Sequence, residues 1–137
     1  MFVWDGSQYV EEATLNIHAD SDVTLQHTIG QTLVPDKNFY KLSFRELDEF
    51  TSHIDYVKLY VVDSDDGEMH ETHLTKVVHS ELGDVKEVLL HDDNIRVDLS
   101  PEQTIDLIFN VPRVTETAFI IFEINGFNMK TPGDGPW

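Results

Sequence analysis

The sequence predicts an all-β domain, an antiparallel β-sandwich of the jelly-roll or immunoglobulin-like kind with roughly eight to ten strands. Three observations indicate this class. Short segments with alternating apolar side chains recur, turn residues separate them at the spacing of a sandwich, and the apolar residues favour Val, Ile and Phe. The chain of 137 residues, 40% of them hydrophobic, is long enough for one domain with its own core.

In the first half of the chain, alternation predicts strands at residues 2–4, 9–10, 14–18, 23–29, 39–44 and 54–62. The first two flank Asp5-Gly6, a strong hairpin signal. Residues 45–50 suit either a short helix or bend, or a charged loop. In the last of these strands Val57, Leu59 and Val61 point to one face.

In the second half, strands are predicted at residues 71–79, 85–90, 94–99, 105–109 and 118–124. Residues 118–124 are nearly all apolar, which is typical of a central strand buried on both faces. Nothing marks an internal boundary, so residues 1–130 are predicted to form a single domain. Residues 131–137, with two Gly and two Pro, suit a flexible tail or a truncated linker.

The charge and the cysteine content limit the possible partners. With 26 Asp and Glu against 9 Lys and Arg, the net charge of −17 disfavours nucleic acid and anionic membranes and would attract cations or basic partners. The alternative is that the charge serves solubility or a high-salt habitat. No cysteine is present, which excludes disulfides and thiolate metal sites. No apolar run is long enough for membrane insertion, and Trp4, Asp5 and Gly6 interrupt any signal peptide at the start.

An acidic turn is the candidate metal site. Its carboxylates are oxygen ligands of the kind calcium prefers, and they belong to Asp63, Asp65, Asp66 and Glu68. The register of an EF-hand fails, because Val62 and His73 would occupy its first and twelfth positions. The alternative is a plain solvated turn between strands. No other cofactor is expected.

Catalytic motifs are not found, and no catalytic residue is assigned. The chain lacks a Gly-x-Ser-x-Gly segment, a Cys nucleophile and a glycine-rich phosphate loop. Among the seven histidines, His70 and His73 are three apart, which puts them on opposite faces of one strand and weakens a zinc or copper site. Carboxylates are so numerous that no particular pair indicates a glycoside hydrolase. The protein is therefore predicted not to be an enzyme.

Aromatic side chains could form a ligand-binding face, since flat rings on sandwiches stack against sugars or peptides. The candidates are Trp4, Tyr9, Tyr56 and Tyr60. The alternative for each is packing in the core.

Two segments together resemble β-rich accessory modules of large bacterial and archaeal secreted proteins, which often adjoin β-propeller or tetratricopeptide repeats. Residues 2–10 resemble the aromatic-x-Trp-Asp-Gly-x-x-Tyr/Phe-Val opening of those modules. Residues 39–63, with Tyr40-x-Leu42-x-Phe44, resemble the strand pair that follows. The resemblance implies a sandwich used for binding or assembly and implies no site residues.

The leading expectation is a non-catalytic binding, adhesion or structural module of an extracellular or cell-surface protein, with a protein or carbohydrate partner. The alternative is a self-assembling subunit that binds copies of itself by strand addition, with residues 2–10 as the pairing edge. A hydrolase is the third alternative.

Overall fold

The computed structural model describes residues 1–4, 7–15, 17, 22–29, 39–46, 50–62, 67–92, 95–111 and 118–130. In these residues eleven strands and one short helix follow one another along the chain. The strands are β1 (Phe2–Trp4), β2 (Tyr9–Glu11), β3 (Val23–Ile29), β4 (Phe39–Arg45), β5 (Phe50–Val62), β6 (Met69–Glu71), β7 (His73–His79), β8 (Gly83–Asp84), β9 (Val97–Leu99), β10 (Thr104–Asn110) and β11 (Phe119–Lys130). The helix α1 (Lys86–Leu89) lies between β8 and β9.

The strands form two antiparallel sheets, which confirms the predicted β-sandwich. The first sheet has the order β2-β1-β4-β10-β7-β8. The second has the order β3-β11-β5-β6, and β9 pairs with β5 beyond the end of β6. Alternate residues of both sheets point inward, and the side chains of Leu42, Leu107, Leu59 and Phe122 are almost completely buried between them. Among the described residues, no helix has the length and apolar composition that a membrane span requires.

The strand predicted at residues 71–79 is interrupted where the chain passes from one sheet to the other. Residues of β6 pair with β5 in the second sheet, whereas β7 pairs with β10 in the first. Thr72 lies between them, and both its backbone nitrogen and its Oγ1 donate to the carbonyl of Leu59 at 2.8 Å. The prediction of one continuous strand was wrong, because alternation alone does not reveal a change of sheet.

The strand predicted at residues 85–90 was wrong, because this segment contains the helix α1. Val85 and Leu89 are both buried, and a spacing of four puts them on one helical face. The backbone nitrogens of Val88 and Leu89 donate to the carbonyl of Val85, and that of Lys86 donates to Oδ1 of Asp84 at 3.0 Å. These bonds close a single turn that apolar periodicity over six residues could not distinguish from a strand.

The segment at residues 118–124 is central, as predicted, since β11 lies between β3 and β5. The prediction that both its faces are buried was correct only in part, since Glu123 on the outer face is buried and Ile121 half-buried. Ile120, Phe122 and Ile124 point into the core, while Phe119 is 43% exposed on the other face.

Four further segments differ from prediction or lie partly or wholly outside the described residues. Residues 14, 15 and 17 are not in a strand, contrary to the strand predicted at 14–18, and the strand expected at 94–99 is limited to Val97–Leu99. Residues 47–49, the centre of the predicted bend or loop, lie outside the described residues, as do residues 131–137.

Candidate functional site

A cavity of about 520 Å³ lies between the two sheets at one end of the sandwich. The end of β4, the start of β5 and the later part of β11 contribute to its wall. The wall is mostly apolar and includes Met1, Leu15, Phe44, Ile54, Leu99 and Ile124. Concave, mainly apolar pockets of this size with a few polar groups are the usual form of a small-ligand site.

Two polar side chains, Glu46 and Ser52, lie together in this wall. Both residues are buried, with Glu46 8% exposed and Ser52 6% exposed. The hydroxyl of Ser52 donates a hydrogen bond to Oε2 of Glu46. The backbone nitrogen of Glu46 donates to the carbonyl of Gln103 at 3.3 Å, which holds the residue at the end of β4. The cavity therefore combines a mostly apolar wall with one buried carboxyl group, while the exposed residues Glu11 and Arg45 also line it.

A β-bulge in the second sheet turns Ser52 inward. Along β5, Val57, Leu59 and Val61 face the core, but the pairing with β11 shifts between Asn125 and Gly126. The bulge accommodates one extra residue of β5. The inward positions are therefore even-numbered before the bulge, in residues 50–54, and odd-numbered after it, in residues 57–61. We call the first part of the strand pair the part below the bulge and the second the part above it. Ser52 and Ile54 consequently point toward the cavity side of the sheet.

Gly126 makes this bulge possible through a close backbone approach. A Cβ atom placed on Gly126 would lie 2.3 Å from the carbonyl oxygen of His53. No side chain fits at that distance without a shift of the backbone, so the site needs glycine.

The four aromatic residues predicted to bind ligand form two pairs on opposite outer faces of the sandwich. Trp4 and Tyr9 lie on the first sheet, with their rings edge to face and 5.2 Å between centroids. Nζ of Lys41 lies 5.1 Å from the centre of the Trp4 ring. Burial raises the pKa of Tyr9, and the charge of Asp106 adds to the shift. Tyr56 and Tyr60 lie on the second sheet, so the structure does not bring the four together.

Glu123 organises the outer face of the second sheet around Tyr56 and Tyr60. Nε2 of Gln26 donates to Oε1 of Glu123 at 2.6 Å, and the hydroxyl of Tyr56 donates to Oε2 at 3.0 Å. Burial raises the pKa of both phenols, and Glu123 adds to the rise. Since Tyr56 is only 8% exposed, its ring is a part of this network rather than an open stacking surface.

A second cluster lies on the same outer face, beyond the bulge. Nδ1 of His53 lies 2.6 Å from Oδ1 of Asp98, and the His53 ring packs against Phe127 with 4.7 Å between centroids. The guanidinium of Arg96 lies 5.5 Å from the Phe127 ring and donates to both carboxylate oxygens of Asp22. This hydrogen bonding raises the pKa of Arg96. The contacts tie the start of β3 and the segment before β9 to β11.

His79 is a buried polar residue that alternation did not single out. It is 2% exposed, and its Nε2 donates to the carbonyl of Asp98 at 2.9 Å. Nδ1 accepts from the backbone nitrogens of Glu81 and Leu82 at 3.0 and 3.1 Å. This arrangement requires the neutral ring with its proton on Nε2, and it links β7 of the first sheet to β9 of the second.

The predicted calcium ligands are only partly within the described residues. Asp63, Asp65 and Asp66 lie outside them, and Glu68 is exposed directly before β6. His70 and His73 are exposed and belong to β6 and β7, strands of different sheets. In the part of the chain that the structure describes, no three His, Asp or Glu side chains are placed to hold a metal ion together.

The sequence reasoning did not identify Glu46 or Ser52. Comparison of the chain with models of protein families, with curated proteins and with solved structures finds no match. The geometry of the cavity is therefore the basis for the function.

Proposed function

We propose that this chain is a non-catalytic binding module that accepts a cationic group on an apolar stem into the cavity at the end of the sandwich. The observation that carries this proposal is the carboxyl group of Glu46, which is 8% exposed and lies in a mostly apolar wall beside Ser52. Ser52 already donates one hydrogen bond to this carboxylate, and a cation in the cavity would add a charge-assisted contact to it.

The two parts of the site would recognise the two parts of such a ligand. The apolar wall stabilises an alkyl stem by about 25 cal/mol for each Å² removed from water. The carboxylate favours an ammonium end over a neutral or anionic end, because the attraction acts where little water screens it. The net charge of −17 also draws cations toward the molecule.

A lysine side chain on an extracellular or cell-surface protein has this chemistry, since it carries an ammonium on a chain of methylene groups. This source fits the binding or adhesion role expected from the sequence. A small alkylamine has the same chemistry, so it is a suitable probe for the site.

Calorimetric titration with hexylammonium, hexanol and hexanoate tests the proposal. Hexylammonium and hexanol have the same six-carbon stem, so the difference between their affinities reports the end group, while the stem of hexanoate is one carbon shorter. We expect hexylammonium to bind most tightly and hexanoate least tightly. In Glu46→Gln the preference for hexylammonium over hexanol should fall by roughly tenfold, equivalent to about 1.4 kcal/mol.

Glu87→Gln is the matched control, because Glu87 is an exposed carboxylate on α1 and its loss changes the net charge equally. This variant should keep the preference. Equal affinity for the three probes in the parent protein would contradict the proposal. An equal loss in both variants would show that the overall charge, and not the cavity, selects the cation.

A further inference from the structure

The strand β3 differs from every other edge strand in the described residues. The other edges, β2, β6, β8 and β9, contain two or three residues each. Each also carries one carboxylate: Glu11, Glu71, Asp84 and Asp98, respectively. Short edges and charged side chains are the usual protection against pairing with another chain. β3 has seven residues and no Asp, Glu, Lys, Arg or Pro, in a chain that contains 26 acidic residues.

One side of β3 is fully paired with β11. Its register with β11 is continuous from Ile29 opposite Ile120 to Val23 opposite Gly126. Among the described residues, no strand pairs with the other side. Alternate side chains of β3 are exposed on the outer face of the sheet: Thr24, Gln26 and Thr28. The backbone groups of this edge can therefore accept a further strand.

The sequence of β3 is close to symmetric about Gln26. Two Thr residues flank it at equal distances, and the strand begins with Val23 and ends with Ile29. In an antiparallel pair of two such strands centred on Gln26, Gln would face Gln, each Thr would face a Thr and Val would face Ile, while Leu25 would face His27. Cross-strand pairs of Thr and of β-branched side chains stabilise sheets.

We propose that β3 pairs antiparallel with the β3 of a second copy of this chain, with Gln26 at the two-fold axis. This pairing joins the second sheets of the two copies into one continuous sheet. The proposal does not rest on ligand binding in the cavity. It also places strand addition at β3 and not at residues 2–10, where β1 is paired on both sides by β2 and β4 and the edge strand β2 is only three residues long.

Three described carboxylates that contact or adjoin β3 have partners. Asp22 pairs with Arg96, Glu12 lies 3.2 Å from Nε2 of His27, and Glu123 accepts from Gln26. Of these carboxylates only Asp22 is neutralised by a cation, so the negative charges of Glu12 and Glu123 add to the repulsion between whole molecules of net charge −17 each. Association of two copies should therefore increase with salt, because salt screens this repulsion. Binding of a basic peptide to the same edge would decrease with salt.

Sedimentation equilibrium over a range of concentrations measures the association. Raising NaCl from about 0.1 M to about 1 M shortens the Debye length from about 10 Å to about 3 Å. We expect the average mass to rise from near one chain toward two chains as salt and protein concentration increase. A mass of one chain under all these conditions would overturn the proposal.

The absence of native cysteine allows a direct test of the register. In the proposed pair the two Gln26 residues face each other, with Cβ atoms about 5 Å apart. Under mild oxidation Gln26→Cys should form a covalent dimer, since that separation is close enough for a disulfide. Thr28→Cys on the same edge is the control, because its two copies would lie about 13 Å apart.

A mixture of Thr24→Cys and Thr28→Cys gives a second reading that leaves Gln26 intact. These two positions face each other across the pair, so the mixed dimer should form at least several times faster than either like dimer. Melting curves of each variant check that the fold is kept. Equal cross-linking of Gln26→Cys and Thr28→Cys, with no preference in the mixture, would show random collision and would refute the register.

Discussion

The long strand pair β5–β11 has two halves that bury different chemistry. Above the bulge, β5 and β11 contribute only apolar side chains to the core, including Val57, Leu59 and Phe122. Below it, the inward positions of the same two strands include Ser52 and Asn128, which line the cavity. We refer to these as the packed half and the cavity half. The first excludes water and the second leaves room for a ligand.

Under the proposed function, a single sheet serves both stability and binding. A continuous apolar ladder supplies the free energy of folding, because it removes the largest apolar area from water. The cavity half loses some of that burial but positions a carboxyl group next to an apolar wall. The bulge separates the two roles, since it changes which residues of β5 face inward.

The largest expected effect tests the packed half. Phe122 is fully buried and its ring packs 5.1 Å from that of Phe44. Phe122→Ala should lower the free energy of unfolding by about 3–5 kcal/mol, because it removes apolar contacts and leaves a void. Asn128→Ala, at an inward position of the cavity half, should cost about 1 kcal/mol or less. Urea denaturation measures both, and equal losses would remove the distinction between the halves.

Gly126→Ala tests the bulge that separates the halves. The added methyl group meets the carbonyl oxygen of His53 at 2.3 Å, and backbone atoms cannot rotate away as a side chain can. We expect a loss of about 1–3 kcal/mol in urea denaturation, the usual cost of forcing extra volume into a packed site. A variant as stable as the parent would mean that the close approach does not constrain the strands.

Alkaline pH should weaken the protein through its tyrosines. The pKa of each of the four, Tyr9, Tyr40, Tyr56 and Tyr60, is raised, chiefly by burial. The unfolded chain ionises near pH 10, so this contribution is complete below pH 10 and is lost as the pH rises through the higher folded-state pKa values. Each buried phenol lowers stability by up to about 1.4 kcal/mol per pH unit in that range.

Denaturation at several pH values, followed together with the near-ultraviolet absorbance of tyrosinate, measures this loss. The share of Tyr9 should be smallest, because it is 40% exposed and solvent screens its environment. Ionisation of all four phenols near pH 10 without any loss of stability would contradict the burial of the tyrosines.

The smallest expected effect concerns the buried hydroxyl group of Tyr40 on β4. Tyr40 is 5% exposed, and its hydroxyl has no hydrogen-bond partner among the described residues. Tyr40→Phe should therefore leave stability unchanged at neutral pH or raise it by about 1 kcal/mol, and it should reduce the alkaline loss. A clear loss of stability at neutral pH would show that the hydroxyl does contribute to the free energy of unfolding.

Local patterns predicted the class of fold, and long-range geometry determined the site. Alternation at Val57, Leu59 and Val61 correctly identified one face of β5, because each inward residue lies two positions from the next. Strict alternation would have put Ile54 on the opposite face, and only the register with β11 shows the extra residue. The inward direction of Ser52 follows from that bulge and was not accessible from the sequence.

The dependence on long-range strand pairing also explains why the sequence did not reveal the burial of Glu46 or the separation of the aromatic residues. Glu46 is one of 26 acidic residues, and its burial depends on strands that are distant in sequence. Tyr56 and Tyr60 share a face, as their even spacing implies, but their separation from Trp4 and Tyr9 depends on which sheet each strand joins. Helix α1 was missed because Val85 and Leu89 fit either period over so short a segment.

The central claim is that the cavity half, and not an aromatic outer face, binds the ligand. Methyl NMR spectra recorded during titration with hexylammonium test it most directly. We predict shifts at Met1, Leu15, Ile54, Leu99 and Ile124, which line the cavity, and their loss in Glu46→Gln. Shifts confined to Ile121 and Met69, on the outer side of the second sheet, with the cavity methyl groups unchanged, would contradict the claim.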